Sequence, residues 1–479
     1  MRGRCALVCG AATLLAACSF APPYSVPKSA AAPDQYREIA DWKHAQPSDQ
    51  APKGDWWTMY SDPQLNALET RAADANQNLK AAFARLQQAR ADTRIARADL
   101  FPSIDAKAYA ERARVSPNSP QYIQGKPTQG NDFDVEADLS YEIDLWGRVR
   151  NQVASARANS QASAADLGAL QLSIQAEVAT DYFGLRSYDT QAELLDKTTD
   201  DYQKALDLTQ TLFDNGAAAL SDVEQAKTQL FTAQTQAADT RLLRAQLEHG
   251  IAVLVGENPS TFQLPLNSLP QEASPPGVDP GMPSALLERR PDVAEAERRV
   301  AAANAQIGVA RAAYFPQFTL VGGGGFNSVS STNWLSAPSQ FWSLGPQMTL
   351  PIFEGGRLVA QTERAKAAYS EQVAAYRNTV LTAYQEVEDN LAALRQLEKE
   401  ANTEAQAVEA SGIALAKSQD RYVEGLVTYL EVATTETTAL QAQLSRINIQ
   451  TRRLDASVML IKALGGGWND GSVRTGKNE

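Results

Sequence analysis

Histidine is almost missing from this chain: there are 2 in 479 residues, His44 and His249. Nucleophilic catalysis through a His base and His-based zinc binding therefore have almost nothing to work with. A basic excess is missing too. The net charge of −12 argues against nucleic acid as a partner, which needs a basic face. After the N-terminal leader no apolar run of about 18 residues occurs, so the sequence carries no transmembrane helix. A chain of this kind crosses a bilayer only as a closed barrel. No nucleophile elbow or phosphate loop is present. The run Gly322 to Gly325 lacks the following Lys-Ser/Thr and helix, and reads as strand glycine. No catalytic or metal-binding residue is assigned, and the chain reads as non-enzymatic.

Cysteine is scarce, with 3 in all, and each is accounted for at the N-terminus. Arg2 and Arg4 make a basic start and Cys5 to Ala17 a short apolar region. Leu15-Ala16-Ala17-Cys18 then matches the bacterial lipobox, so residues 1–17 read as a lipoprotein signal peptide. Cys18 is the expected site of a covalent diacylglycerol and an N-acyl (palmitate) chain, with no other cofactor expected. Loss of Cys5 and Cys9 with the leader leaves no disulfide and no two-Cys metal site. Ser19 after the cysteine resembles the sorting pattern of Gram-negative outer-membrane lipoproteins.

What is abundant is Ala and Gln, with Leu, Glu, Arg and Lys between them, a palette for long helices. The chain also repeats itself. Val309-Ala310-Arg311-Ala312-Ala313-Tyr314-Phe315-Pro316 echoes Ile95-Ala96-Arg97-Ala98-Asp99-Leu100-Phe101-Pro102, and in both a helical pattern must stop before the proline. An aromatic-Gly step, a helix-tip glycine and a terminal glycine recur at nearly the same spacing, roughly 210 residues apart. The domain reading is a lipid anchor and extended tether over 18–60, a first repeat over 61–257 and a Pro-rich linker over 258–284. A second repeat over 285–465 and a glycine-rich tail over 466–479 complete it.

Each repeat reads as helix, β-hairpin, helices. Asp62 caps a helix expected to run from Pro63 to about Leu100. A strand follows from Pro102 to Arg114. Then Phe133, Val135, Ala137, Leu139, Tyr141 and Ile143 alternate strictly with Asp134, Glu136, Asp138, Ser140, Glu142 and Asp144. Strict period two excludes an amphipathic helix, and a tilted barrel strand of about 9–11 residues spans a bilayer with apolar side chains outward and polar ones inward. A helix from about Val149 to Leu212 ends at Asn215-Gly216, Ser221 is the expected cap of the next, and Val223, Leu230 and Ala237 give coiled-coil spacing. In the second repeat the hairpin is read as Phe318 to Phe326 and Phe341 to Phe353. A helix from about Val359 to Val423 turns at Glu424-Gly425. One chain thus offers four strands, whereas a closed barrel needs about eight. Several chains must close the ring, and three would give twelve strands.

Leu286-Leu287-Glu288-Arg289-Arg290-Pro291-Asp292-Val293, continuing through Ala302-Ala303-Asn304-Ala305-Gln306 to Phe315-Pro316, resembles the signature of the outer-membrane efflux lipoproteins. These form the NodT-type branch of the TolC-like outer membrane factors. Asp144-Leu145-Trp146-Gly147-Arg148, Pro351-Ile352-Phe353-Glu354-Gly355-Gly356 and Arg421-Tyr422-Val423-Glu424-Gly425 fit the same family. The resemblance implies a homotrimer with a twelve-stranded barrel in the outer membrane and a long α-helical tunnel across the periplasm. It implies docking on a periplasmic adaptor (membrane fusion) protein and on an inner-membrane pump of the resistance-nodulation-division type, with passive export of drugs and other toxic small molecules. Asn215, Gly216, Glu424 and Gly425 correspond to the adaptor-facing helix tips. Tyr422 and Leu430 match the periplasmic gate. Thr434 stands where the family carries Asp, and Glu431 on nearly the same face is the expected substitute. Asp134, Glu136, Asp138, Glu142 and Asp144 would line the lumen and favour cations. Two other readings are a type I protein-secretion conduit and a pore-less structural coiled-coil lipoprotein of the periplasm. The Arg-Arg-Pro-Asp run and lipobox weigh against the first, the lipid-facing alternation against the second.

Overall fold

The computed structural model describes residues 19–29, 33, 35–39, 54–120, 122–270, 274–278 and 289–466. Cys18 with its leader, the first signature residues Leu286 to Glu288 and the tail after Gly466 lie outside the described residues. Helices α1 (Pro63–Ala75) and α2 (Gln77–Ala98) lead into β1 (Ser103–Arg114) and β2 (Gln129–Ile143), and then into α3 (Arg148–Asp214) and α4 (Leu220–Leu254). Helix α5 (Pro291–Ala312) leads into β3 (Gln317–Ser328) and β4 (Gln340–Thr349), and then into α6 (Arg357–Val423) and α7 (Tyr429–Ala463). Helices α3 and α6 have 67 residues each, and α4 and α7 have 35 each. At 1.5 Å rise per residue these are about 100 and about 50 Å long.

The helix expected from Pro63 to Leu100 is two helices. Asp62 caps the first as expected, its carboxylate accepting from the N–H groups of Gln64 and Leu65 at 2.8 and 3.1 Å. At Asn76 the backbone turns extended, with ψ 126°. Its Oδ1 accepts from the N–H groups of Asn78 and Leu79 and so caps α2. Its Nδ2 donates to the Leu254 carbonyl at the end of α4, 2.8 Å away, satisfying a group that helix termini leave orphaned. A distant partner, invisible in local sequence, decides the break. Ser221 is not the cap of α4, which starts at Leu220. There the Ala219 N–H donates to Asp222 Oδ2 at 3.3 Å.

Four helices end on left-handed glycines: Gly216, Gly256, Gly425 and Gly465 have φ of 74, 73, 71 and 90°. After each, the next N–H reaches back to a carbonyl in the last turn, Ala217 to Leu212, Glu257 to Ala252, Leu426 to Arg421 and Gly466 to Ile461, which satisfies otherwise unpaired carbonyls.

The chain forms two compact units. One contains Arg85–Ala164, Glu295–Arg377 and the described N-terminal residues up to Lys28. The other contains Ser29–Ala84, Ala165–Ala294 and the residues from Asn378 onward. The first unit holds an antiparallel sheet of order β1-β2-β3-β4, so β1 and β4 each have one side without a strand neighbour among the described residues. β2 begins earlier than the alternation suggested, at Gln129, and β4 stops at Thr349 rather than Phe353. Pro351 has no N–H to continue the ladder.

In the second unit the core joins Trp56, Trp57, Leu65 and Leu68 to Val178, Tyr182, Leu185, Ile251 and Val458. The supposed linker contributes Phe262, Leu264 and Leu269, all buried, so this part of it is packed chain. The heptad residues Val223, Ala226, Leu230, Ala233 and Ala237 of α4 are buried, as are Val380, Ala383, Val387 and Leu391 of α6. Small side chains at these positions let helix axes approach closely. Gly256→Ala should lower the melting temperature in detergent more than Gly216→Ala. Both residues bear the left-handed penalty of about 1–2 kcal/mol, but only at Gly256 would the new Cβ also meet backbone, Ala75 O at 2.7 Å. Equal losses would count against the close approach.

Candidate functional site

The registry of the sheet sorts its residues onto two faces. Phe133, Val135, Leu139 and Tyr141 of β2 pair with Ala110, Ala108 and Ile104 of β1 and with Phe326 and Leu320 of β3. β4 adds Trp342, Leu344 and Met348 to this apolar face. The opposite face carries Asp132, Asp134, Glu136, Asp138 and Glu142 of β2, with Asp105, Lys107, Tyr109 and Glu111 opposite them on β1. On β3 the acids face Gly323, Gly325 and Asn327. A Cβ on Gly325 would overlap the Val135 carbonyl, so the strands approach there only because a side chain is missing.

The acids are not equivalent. Asp134 is 5% exposed and accepts from Asn327 Nδ2 at 3.0 Å. Asp138 pairs with Lys107. Glu142 makes a two-pronged pair with Arg148, Nε to Oε1 at 2.8 Å and Nη2 to Oε2 at 2.6 Å. Asp144 lies beyond the strand, where its carboxylate accepts from the N–H and Nε of Arg150 at 2.9 and 3.2 Å. That places a negative charge at the positive end of α3. The row is therefore less uniformly negative than its sequence suggests: arginines at the helix start offset Glu142 and Asp144.

The foot of the sheet is an aromatic junction. Trp146 packs 5.0 Å from Phe315 and donates Nε1–H to the Pro316 carbonyl at 2.7 Å. Phe20 stacks on Phe315, ring centroids 4.3 Å apart and 4° from parallel. The described first part of the segment read as an extended tether packs against the rest of its unit. Ser19 Oγ donates to Asn151 Oδ1 at 3.0 Å, and Asn304 Nδ2 to the Pro22 carbonyl at 2.9 Å. Arg311 donates to the Phe20 carbonyl at 3.2 Å.

In the other unit, the helix-tip residues fall into two groups. Asn215, Gly216, Glu424 and Gly425 are exposed in the two reversals. Tyr422 is half-buried, its ring 5.6 Å from Tyr429 and its hydroxyl 3.4 Å from Thr209 Oγ1. Leu430 is 62% exposed, and Thr434 one turn on is exposed and donates its hydroxyl to the Leu430 carbonyl at 2.8 Å. Glu431 is not a free anion: it pairs with Arg421 at 2.7 Å across the reversal. Sequence reasoning missed Glu436, which is 5% exposed and has Tyr429 Oη 3.5 Å from its Oε2. Burial first, and nearby Asp201, push its carboxyl up to about 7, against hydrogen bonds from Gln419 and Tyr429 that lower it.

Two buried arginines, Arg290 and Arg186, fasten parts of the chain that are distant in sequence. Arg290 grips Asp292 with Nε and Nη2 at 2.9 and 2.6 Å, and its Nη1 reaches Glu386 at 2.5 Å and the Ala463 carbonyl at 3.1 Å. The Arg-Arg-Pro-Asp run thereby ties the start of α5 to α6 and the end of α7. Arg186 and Arg244 share Asp189 at 2.6 Å each, and donate to the Pro265 and Leu264 carbonyls at 2.8 Å. This network holds the packed linker on α3 and α4. Removing one partner would leave a buried charge uncompensated.

A sheet with one apolar and one acidic face, combined with long paired helices, defines a membrane-channel class of fold. The chain belongs to the outer membrane efflux protein family, whose model matches residues 68–257 and 282–466. It is 32% identical over 460 residues to a probable efflux pump outer membrane protein, TtgC of Pseudomonas putida, covering 95% of this chain and 94% of that one. It is 33% identical over 470 residues to the pyoverdine export outer membrane protein OpmQ of Pseudomonas aeruginosa, covering 96% of each. Among solved structures, the outer-membrane channel OprN aligns with TM-score 0.85 at 29% identity, over 94% of this chain and all of that one. The Campylobacter jejuni CmeC outer membrane channel aligns with TM-score 0.86 at 26% identity, over 95% and 96%.

A carboxyl whose pKa is higher folded than unfolded holds its proton more tightly in the folded state. Its contribution to stability is therefore present in acid and falls as pH rises from about 4.5 through about 7. Asp181 and Asp455, pushed up to about 6 and about 7 by burial, add to the global effect, so the readout must be local. Amide exchange around Glu436 should quicken between about pH 5 and about pH 8 beyond its intrinsic pH dependence. Glu436→Gln should flatten that excess. Persistence of the excess in the variant would exclude Glu436 as its source.

Proposed function

We propose that this protein is the outer-membrane channel of a tripartite efflux system, exporting small toxic molecules passively. In this reading three copies place their four-stranded sheets edge to edge as one twelve-stranded barrel. Their helices continue as a tunnel that meets a periplasmic adaptor and an inner-membrane pump. The observation that carries the reading is the sheet: one face apolar, the other acidic, and both outer edges without a strand neighbour among the described residues. Among the described residues no helix is long and apolar enough to cross a membrane, which leaves the sheet as the described element suited to that solvent. Export functions in the names of several relatives, covering antibiotics, toluene, solvents and pyoverdine, support a small-molecule cargo.

The acids Asp134, Glu136 and Asp138 then line a hydrated lumen, while Glu142 and Asp144 anchor its base to the helix starts. Asn215, Gly216, Glu424 and Gly425 are the adaptor-facing tips. Leu430 and Thr434 form the constriction and Tyr422 its brace, with the Arg421–Glu431 pair holding the reversal shut in place of an anionic ring. Cys18 carries the diacylglycerol and N-acyl lipid that keep the protein in the outer membrane.

Replacing Phe133, Leu139 and Ile143 together by Arg should abolish outer-membrane assembly, since each charge on a lipid face costs about 2–4 kcal/mol near the midplane. Normal trimers of that variant in outer-membrane fractions would refute the barrel. Palmitate labelling should vanish in Cys18→Ser; unchanged labelling would place the lipid elsewhere.

A further inference from the structure

The strands of the two repeats pair within the chain along β2 and β3, and that seam has a built junction at its foot. Trp146 follows β2 and Phe315 precedes β3; their rings lie 5.0 Å apart and both are half-buried. The same parts recur at the two outer edges of the sheet, with little against them. Phe101 precedes β1 in the turn that Phe315 makes before β3: the Phe101 N–H donates to Ala98 O at 2.9 Å, the Phe315 N–H to Ala312 O at 3.1 Å. Phe353 stands between β4 and α6 as Trp146 stands between β2 and α3. The two helices also open alike, with Asn151 donating to Gly147 O at 2.9 Å and Ala360 to Gly356 O at 3.1 Å. Gly147 and Gly356 both have left-handed φ, 74 and 87°. Yet Phe101 is 70% exposed, Phe353 88% and Ile352 93%.

We propose that Phe353 of one copy packs on Phe101 of a second copy, so that the β4–β1 seam between copies repeats the β2–β3 seam within one. This rests on the channel reading above and adds to it the residues of the seam. Antiparallel pairing then puts Met348 and Leu344, 60 and 65% exposed, on the same face as Ile104, itself 70% exposed. Parity along the strands is fixed by the apolar face, because a slip of one residue would turn every side chain over. The contact joins two different edges, so it is heterologous and propagates until the ring closes. It also differs from the internal seam in one respect. Phe20, which caps Phe315 inside the chain, has no second equivalent among the described residues, so Phe353 and Phe101 meet without a third described ring.

The test is cross-linking in isolated outer membranes with a short bifunctional thiol reagent. The Phe101→Cys/Phe353→Cys variant should give a ladder of covalent oligomers on denaturing electrophoresis, and either substitution alone should give none. Phe101→Cys/Trp342→Cys should also give none, because Trp342 lies toward the opposite end of β4. Ile104→Cys/Ile352→Cys serves as a second pair should the first impair folding. Native electrophoresis of the same membranes reads assembly separately. Oligomers that assemble but give no ladder with either pair overturn the seam and leave the channel reading standing. A monomeric unsubstituted protein overturns both, and a ladder from the Trp342 pair overturns the proposed direction of packing.

Discussion

An antiparallel sheet of four strands has two outer rows of backbone N–H and C=O groups that no other strand among the described residues pairs. In water such edges are tolerable. In hydrocarbon each unpaired group costs several kcal/mol, and that cost ties the fate of this fold to its surroundings. The apolar face, with Trp342, Leu344 and Met348 at 78, 65 and 60% exposure, wants an apolar solvent that the edges cannot tolerate alone. Under the channel reading proposed above, closure by further copies would resolve the conflict, and the acidic face would need only to be wet.

The helices solve a different problem. Each satisfies its own backbone except at its ends, and the ends are where the chain is most specific. Four left-handed glycines close the last turns, and at Gly256 and Gly465 close backbone neighbours leave no room for a side chain. Buried arginines do the remaining fastening, Arg290 onto the end of α7 and Arg186 with Arg244 onto the packed linker. By contrast the helix-tip reversals are held by lighter means: one exposed ion pair, Arg421 with Glu431, and the packing of Tyr422 against Tyr429. Exposed pairs of this kind contribute about 0–1 kcal/mol, so these reversals are fastened far more weakly than the buried arginine networks. Nearby, burial pushes the Glu436 carboxyl up to about 7.

Much of this was legible in residue patterns. The alternation from Phe133 to Ile143 gave the strand and its two faces, because side chains in a strand must alternate. The phenylalanine-proline steps and the tip glycines located the helix ends, because both act on the backbone locally. What failed did so for nonlocal reasons. Asn76 breaks a helix because its amide finds Leu254. Asp144 lies beyond the end of β2, where it accepts from the Arg150 N–H at a helix start. Two further contacts, Phe20 on Phe315 and Arg421 with Glu431 across a reversal, likewise join residues that no local pattern relates.

By itself, then, the order of residues determined the secondary elements, their twofold recurrence and the polarity of each strand face, all consequences of periodicity and backbone stereochemistry within a few residues. Only the tertiary structure decided which charges are free and which are paired, and why the Arg-Arg-Pro-Asp run exists. Burial and hydrogen bonding belong to groups brought together from distant parts of the chain, and no local pattern encodes which groups those are.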